Sequence, residues 1–316
     1  MRKTGLFLAS IALSATLWAE LPEKKGLDVI NRANAEAYIG FLASDALEGR
    51  EAGFRGGRIA GEYIVSNLKT MGIEPLFESY YQPFEAYNKE RQKKGRFQVH
   101  PDSIAKLKQG VHQKLSMNNI LGKIEGKNPN EYVIIGAHYD HLGFDPMLDG
   151  DRVYNGADDN ASGVSAVLQV AKAFLATGVQ PERTVIFAFW DGEEKGLLGS
   201  KYFVQTFLEM DKVKGYLNYD MIGRNKDESK PMHVVYFYTE AHPVFGDWLK
   251  NDIKKYGLNL TPDYRPWDKP VGGSDNASFA LLDIPVIWYH TDGHPDYHMP
   301  SDHVEKINWN QIVDIT

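Results

Sequence analysis

The stretch Tyr132-Val133-Ile134-Ile135-Gly136-Ala137-His138-Tyr139-Asp140-His141 joins an unbroken apolar run to a group of polar side chains. An apolar run without alternation is typical of a strand that is buried on both faces, as in the parallel sheet of an α/β protein. The polar residues follow where this strand would end. Open α/β sheets bind their ligands in the crevice at the carboxyl ends of their strands. The stretch therefore predicts both the fold class and the place of a site.

The same pattern recurs along the chain. A short strand is predicted over 119–124, and further apolar strands over 184–189, 215–219, 234–238 and 284–289. Helical spacing is found over 33–72, with a loop inside it, and over 162–175, 197–208, 243–256 and 307–315. We therefore predict an α/β fold, with a mostly parallel central sheet sandwiched by helices in one catalytic domain. The polar segment 76–116 is too short for a second core and is interpreted as a small insertion or lid.

Composition excludes several classes of protein. Lys and Arg number 35 against 42 Asp and Glu, a net charge of −7 that argues against nucleic-acid binding. The 316-residue chain contains no cysteine, which excludes disulfides, thiolate metal sites and a cysteine nucleophile. A metal would be held by His, Asp and Glu. That ligand set suits zinc, with manganese or cobalt as possible substitutes.

The N-terminus has the pattern of a signal peptide. Arg2 and Lys3 precede an uncharged apolar run over 6–17, which ends near the small residue Ala19. The run is short for a membrane anchor. We expect residues 1–19 to be removed and 20–316 to be exported, periplasmic or secreted, without a membrane anchor.

Acids and histidines recur at the predicted strand ends. They are found at 138–141, 191–194, 220 and 290–298, and a further pair at 158–159 opens a helix. A single acid after a strand is usually a helix cap. Several such clusters at one edge would repel one another, and divalent cations are the simplest compensation. A pair of zinc ions needs a carboxylate between them and a general base nearby, and the adjacent Glu193 and Glu194 could divide the tasks of base and ligand.

These stretches resemble the M28-type zinc-dependent aminopeptidases, a family with exported bacterial members. The resemblance covers about residues 33–314 and follows the family's order and spacing. It rests on 42–50 (LASDALEGR), 136–143 (GAHYDHLG), 155–163 (NGADDNASG), 191–200 (DGEEKGLLGS), 218–223 (NYDMIG), 273–275 (GSD) and 297–302 (YHMPSD).

The resemblance implies two zinc ions per chain and peptide substrates with a free N-terminus. The metal ligands that it implies are His138 and Asp220 for one ion, Glu194 and His298 for the other, and Asp159 as the bridge. Asp158 is the rival for the bridge, and His294 is the rival for His298. Glu193 would be the general base and acid, and Tyr297 would stabilise the oxyanion. Asp140 and Asp302 would support the ligands, Asp140 by accepting the other N–H of His138.

Two departures from the family stand out, and three alternatives stay open. Asn276 replaces the His or Tyr of many relatives, and a separate protease-associated domain is not expected. A glutaminyl cyclase-like enzyme with one zinc shares the 189–194 pattern (FWDGEE). A carboxypeptidase for acidic C-terminal residues would need a basic pocket, for which the candidates are Arg224, Lys226, Arg265 and Lys269. A binding module that has lost its catalytic activity is the alternative from a different class.

Overall fold

The computed structural model describes residues 21–89, 96–267 and 272–316. The predicted signal peptide lies outside these residues and stays a prediction. The helices are α1 Pro22–Asp28, α2 Arg32–Leu42, α3 Arg55–Met71, α4 Pro101–Leu107, α5 Gly163–Thr177, α6 Leu198–Thr206, α7 Val244–Tyr256, α8 Asn276–Ala280 and α9 Trp309–Ile315. The strands are β1 Glu74–Pro75, β2 Tyr81–Lys89, β3 His112–Ile124, β4 Asn128–His138, β5 Gly143–Phe144, β6 Val153–Tyr154, β7 Arg183–Trp190, β8 Val213–Tyr219, β9 His233–Tyr238, β10 Thr261–Pro266 and β11 Val286–His290.

One sheet dominates the fold, in the order β1-β3-β7-β4-β8-β11-β9-β10, with β2 also paired to β3. The four central strands, β7, β4, β8 and β11, run parallel to one another. On each side of this centre the next strand is antiparallel to its neighbour: β3 pairs antiparallel with β7, and β9 pairs antiparallel with β11. The predicted α/β sandwich is confirmed, with a sheet that is parallel at its centre and mixed overall.

Strand β7 shows why the sheet is covered on both faces. Side chains alternate between the two faces of a strand. Val185, Phe187 and Phe189 join the core cluster that includes α2, α3 and α5. Ile186 and Trp190 join the opposite cluster, which includes α6 and α8. An apolar run without alternation is therefore what a sheet between two helical layers requires.

The segment 76–116 is built into one flank of the sheet. Its strand β2 pairs with β3 from Tyr81↔Ile120 to Lys89↔His112, and α4 follows. The sequence did not predict β2. A role for this segment as a lid stays a prediction. Among the described residues, no helix combines the length and the apolar character needed to cross a membrane.

Candidate active site

The site lies where the four central strands end. Their order, β7-β4-β8-β11, brings the residues that follow each strand to one edge of the sheet. Strand β4 ends at His138, and Asp220 directly follows β8. Glu193 and Glu194 come shortly after β7, and His298 lies in the segment after β11. Parallel strands thus place four distant parts of the chain together, as the sequence pattern predicts.

The first ligand group consists of His138, Asp159 and Asp220, whose ligand atoms lie within 4.8 Å of one another. The Nε2 atom of His138 is 3.3 Å from Asp159 Oδ1 and 3.6 Å from Asp220 Oδ1. All three residues are buried. Imidazole and carboxylate donors at this spacing suit a divalent cation such as zinc.

The second ligand group uses the other oxygen of Asp159. The Nε2 atom of His298 is 3.2 Å from Asp159 Oδ2 and 3.1 Å from Glu194 Oε2. The two carboxylate oxygens of Asp159 therefore face two different groups. The structure brings together all five residues predicted as ligands, with Asp159 between the two groups.

His141 is a site residue that the sequence analysis did not assign. Its Nδ1 atom is 2.7 Å from Glu194 Oε1 and 3.9 Å from Asp159 Oδ2. Together with Asp159 and Glu194 it forms a second set of three that could hold a cation. His141 and His298 are thus two candidate imidazoles for the same group. The sequence did offer a reason to consider His141 as a ligand, since it lies three residues after the predicted ligand His138 in the same polar segment.

The two rival ligands, Asp158 and His294, pair with each other instead. His294 Nε2 lies 3.3 Å from Asp158 Oδ2. The other oxygen of Asp158 accepts a hydrogen bond from the backbone N–H of Gly223 at 2.6 Å. Burial opposes protonation of His294, but the Asp158 carboxylate outweighs it and raises the pKa of His294. These two residues form a separate buried pair, outside the two ligand groups.

Two further carboxylates hold the loops that carry the ligands. Asp302 accepts hydrogen bonds from the backbone N–H groups of Asp158 and Asp159. Asp140 accepts from the N–H of Glu193 at 3.0 Å and lies 3.4 Å from the N of Glu194. The Nδ1 atom of His138 is 3.2 Å from the backbone carbonyl of Asp140 but 3.8 Å from its carboxylate. The carbonyl, rather than the predicted carboxylate, is therefore the group that orients His138.

Arg50 lies beneath the site and is almost completely buried, with 1% of its surface exposed. Its guanidinium donates to five backbone carbonyls, those of Leu42, Tyr139, Asn155, Gly156 and Asp159. Three of these carbonyls belong to the loop that carries Asp159, and one belongs to the residue after His138. Arg50 therefore ties the two ligand segments to the end of α2.

The charges of the site are strongly coupled. Burial alone would raise the pKa of Asp159, but the imidazoles of His141, His138 and His298 hold it well below its usual range. Burial would lower the pKa of His298, but Asp159 and Glu194 raise it to about 10. Glu193 behaves differently, because burial, reinforced by Glu194, raises its pKa well above the usual value despite His138. Burial thus makes the Glu193 carboxylate a stronger proton acceptor than an exposed Glu, as a general base requires.

Two cavities meet at the site. The inner pocket has a volume of about 220 Å³, and its lining includes His138, Asp220, Met221, Trp288 and His290. The outer groove has about 580 Å³ and is lined by Arg96, Phe97, Lys195, Lys201 and their neighbours. Both cavities share Glu193, Gly273, Tyr297 and His298. The predicted base and the predicted oxyanion residue therefore lie at the junction.

The three described residues among the basic candidates for a carboxypeptidase pocket, Arg224, Lys226 and Arg265, do not form such a pocket beside the site. Arg224 is buried and pairs with Asp296 and Glu228. Arg265 pairs with Asp263 and Asp292. Lys226 is not among the residues that line either cavity, and Lys269 lies outside the described residues. Among the described residues, the Lys and Arg side chains that line the outer groove are instead Arg96, Lys195 and Lys201. The sequence analysis did not single them out, because they come from separate segments.

Known proteins share this sequence pattern and this fold. Leupeptin-inactivating enzyme 1 of Streptomyces exfoliatus is 34% identical over 170 residues, which make up 53% of this chain and 34% of that protein. The chain thus spans about a third of that relative's length. BSAP, a zinc aminopeptidase from Bacillus subtilis, superposes with a TM-score of 0.68 at 17% identity, over 90% of this chain and 94% of that one. Porphyromonas gingivalis glutaminyl cyclase has a TM-score of 0.61 at 17% identity, over 91% and 95%.

The family assignment rests on a match to a family profile, which is longer than the match to the Streptomyces relative. The sequence profile of peptidase family M28 matches residues 119–316, which is more than half of the chain and includes every predicted metal ligand. The solved structures share its fold across nearly the whole described chain. The chain belongs to peptidase family M28.

Proposed function

We propose that this chain is an exported two-zinc aminopeptidase, which removes the N-terminal residue from peptides. The observation that carries the proposal is the position of Asp159, whose two oxygens face two separate ligand groups. Glu193 lies beside both groups, where the two cavities meet. A shared carboxylate with a neighbouring base is the arrangement that two-metal hydrolysis needs.

The residues present fit zinc. His138, Asp220 and Asp159 would hold one ion, and Asp159, Glu194 and either His298 or His141 the other. The donors are imidazoles and carboxylates only, and they are mostly buried. Buried carboxylates at this density call for a compensating cation. When bound, zinc supplies polarisation of the substrate carbonyl and lowers the pKa of water.

Glu193 performs the proton transfers of the proposed reaction. Burial raises its pKa, so its carboxylate accepts a proton from the attacking water more readily than an exposed Glu would. The same group then donates that proton to the leaving amine. Glu193 lines both cavities, which allows it to face the water and the leaving group in turn.

The inner pocket explains why the enzyme would act from the N-terminus. It is small, with room for roughly one residue, and Asp220 and Asp159 line it. These acids attract the free α-ammonium of a substrate. Tyr297 lines both cavities and its ring stacks on His298 at 3.8 Å. In the proposed reaction its hydroxyl would donate to the oxyanion.

The test combines metal content with hydrolysis. We expect about two zinc ions per chain, cleavage of leucine p-nitroanilide, and no cleavage of its N-acetylated form. Glu193→Gln should lower kcat by at least about 10²-fold without loss of zinc, because general acid–base catalysis contributes about 10²–10⁴-fold. Glu182→Gln is the matched control, since Glu182 is exposed and pairs with Lys127 at the opposite end of the sheet.

The ligand assignment is tested by His298→Ala and His141→Ala. The variant that removes a true ligand should retain one zinc ion, whereas the other should keep two. One zinc in the wild type, with cyclisation of N-terminal Gln peptides, would instead identify a glutaminyl cyclase. A folded protein that binds no zinc and cleaves nothing would be a binding module.

Export is supported by the sequence of residues 2–19 alone, with its basic start and apolar run. Expression of the full chain in a bacterial host should give a protein that starts near residue 20 and is found outside the cytoplasm. N-terminal sequencing of the cytoplasmic and periplasmic fractions checks this expectation. An intact Met1 in the only soluble product would contradict it.

A further inference from the structure

The outer groove is lined by three cationic side chains in addition to the carboxylates of Glu193 and Glu194. Arg96, Lys195 and Lys201 all line it. They come from three parts of the chain, namely the segment before α4, the loop after β7, and helix α6. The fold therefore collects these cations beside a site that is otherwise rich in carboxylates.

Two of these cations lack a carboxylate partner within the described residues. Lys195 pairs with Glu51 at 2.8 Å. Lys201 donates only to the backbone carbonyl of Gly196 at 2.8 Å, and Arg96 forms no ion pair with any described residue. Burial and the charge of Arg96 lower the pKa of Lys201 by more than the carboxylates of Asp275 and Glu193 raise it, so the two cations repel each other. An anion placed near both would relieve this repulsion.

The groove lies on the leaving-group side of the bond that would be cut. Glu193 is at the junction of the two cavities and gives its proton to the leaving amine. If the first residue fills the inner pocket, every residue after the scissile bond extends into the outer groove. The volume of about 580 Å³ accommodates the next residue or two.

Resting on the proposed aminopeptidase function, we propose that the groove lined by Arg96, Lys195 and Lys201 binds a carboxylate on the leaving side of the substrate. Two sources supply this chemistry. One is an acidic side chain on the second residue, and the other is the C-terminal carboxylate of a dipeptide. The enzyme would thus favour peptides with an acidic second residue, or dipeptides, over neutral or basic peptides.

Four substrates separate these sources: Leu-Ala-NH₂, Leu-Asp-NH₂, Leu-Lys-NH₂ and Leu-Ala with a free carboxylate. Release of leucine gives kcat/KM for each. We expect Leu-Asp-NH₂, free Leu-Ala or both to exceed Leu-Ala-NH₂, and Leu-Lys-NH₂ to be the poorest substrate. Preference for Leu-Asp-NH₂ alone assigns the groove to a side chain, and preference for free Leu-Ala alone assigns it to a dipeptide terminus. The preference should weaken with added salt, since the groove is open to solvent.

Removing the cations tests their role. Arg96→Ala and Lys201→Gln should each lower the ratio of acidic to neutral kcat/KM by about fivefold, the upper range for a partly exposed ion pair. Glutamine at 201 can still donate to Gly196, and Arg96 is exposed, so both variants should fold. Arg183→Ala is the control, because Arg183 pairs with Glu131 at the far end of β7 and should leave the ratio unchanged.

Equilibrium binding gives a second measurement that does not depend on turnover. Calorimetry with the Glu193→Gln protein should show tighter binding of Leu-Asp-NH₂ than of Leu-Lys-NH₂, with the difference reduced by Arg96→Ala. If Leu-Ala-NH₂ is not hydrolysed, the proposed function fails. If it is hydrolysed but neither Leu-Asp-NH₂ nor free Leu-Ala is a better substrate than Leu-Ala-NH₂, or if the preference is unchanged in both cation variants, the proposed groove is wrong.

Discussion

Replacing Arg50 by methionine tests how the ligand loops are held in place. Methionine keeps an unbranched buried side chain but removes all five donors of the guanidinium. The carbonyls of Leu42, Tyr139, Asn155 and Gly156 accept at 2.6, 2.9, 2.5 and 3.0 Å, and that of Asp159 lies at 3.4 Å. The substitution therefore leaves at least four buried carbonyls without this donor.

The size of the effect follows from two opposed contributions. Each buried acceptor left unpaired costs about 1–3 kcal/mol. The removal of a buried charge offsets part of this loss, since burial lowers the pKa of Arg50 to about 10 even though nearby carboxylates raise it. We expect a net loss of about 3 kcal/mol in the free energy of unfolding, a large part of the roughly 5–15 kcal/mol that stabilises a typical domain.

The metal site should weaken as well, because Arg50 holds the segments that carry His138 and Asp159. Loss of a group that orients metal ligands typically lowers metal affinity by about 10–100-fold. Urea unfolding of the metal-free protein gives the stability change, and competition with a fluorescent chelator gives the zinc affinity. Arg50→Lys should recover only part of the stability and only part of the zinc affinity, because an ammonium cannot reach all of the carbonyls that a guanidinium spans.

Arg55→Met is the control for this experiment. The Arg55 side chain is 71% exposed, and its ion pair is with the half-exposed Glu48. It should change stability by less than about 0.5 kcal/mol, as is usual for surface substitutions. A loss below about 1 kcal/mol in Arg50→Met, with zinc affinity within about twofold of the wild type, would refute the proposed role of Arg50.

Three other predictions follow from the same geometry. Tyr297→Phe should lower kcat by about 10–100-fold with little change in KM, because an oxyanion donor acts mainly in the transition state; steady-state kinetics would show this. In the metal-free protein, burial and the nearby Asp140 raise the pKa of Asp191 to about 7, so its contribution to stability is present below about pH 4 and is lost as the pH rises through 7. Asp191→Asn should reduce the change of the free energy of unfolding with pH, which is at most about 1.4 kcal/mol per pH unit for one proton. Urea titrations at several pH values would measure it. Gly56→Ala should destabilise by at least about 2 kcal/mol, because its Cβ would lie 1.7 Å from the backbone oxygen of Leu47. Gly40→Ala, in α2, adds a Cβ that meets nothing within 4 Å beyond its own stretch of helix backbone, so it should instead stabilise by about 0.5–1 kcal/mol, and thermal unfolding would distinguish the two.

The centre of the fold was predictable because its signal is local. Each central strand is an apolar run buried on both faces, and each is followed directly by polar residues of the site. His138 and Asp220 need no knowledge of tertiary structure beyond the rule that parallel strands end at one edge. The outer strands β2 and β10 gave no such signal. Strand β10 contains Pro262 and Pro266, and β2 alternates irregularly between exposed and buried positions.

Choices between neighbouring residues needed the structure. Asp158 and Asp159 have the same side chain, and only the positions of His294 and the Gly223 N–H show which of them turns away from the ligands. Arg50 was visible within the N-terminal motif, but its five carbonyl partners come from segments 8 to 109 residues away. Contacts at such separations leave no periodic pattern in a sequence.

The charge distribution of the two cavities accounts for both proposals together. The inner pocket is lined by the acids Asp159, Glu193 and Asp220, and the outer groove adds Arg96, Lys195 and Lys201. A short peptide carries its ammonium at one end and its carboxylate at the other, so only one orientation matches this distribution. In that orientation the first peptide bond lies at the junction, beside Glu193. In the reversed orientation the ammonium faces Arg96, Lys195 and Lys201, and this interaction is repulsive. The same charges that select a free N-terminus therefore select an acidic leaving group, which is why substrate length and second-residue charge should prove to be coupled.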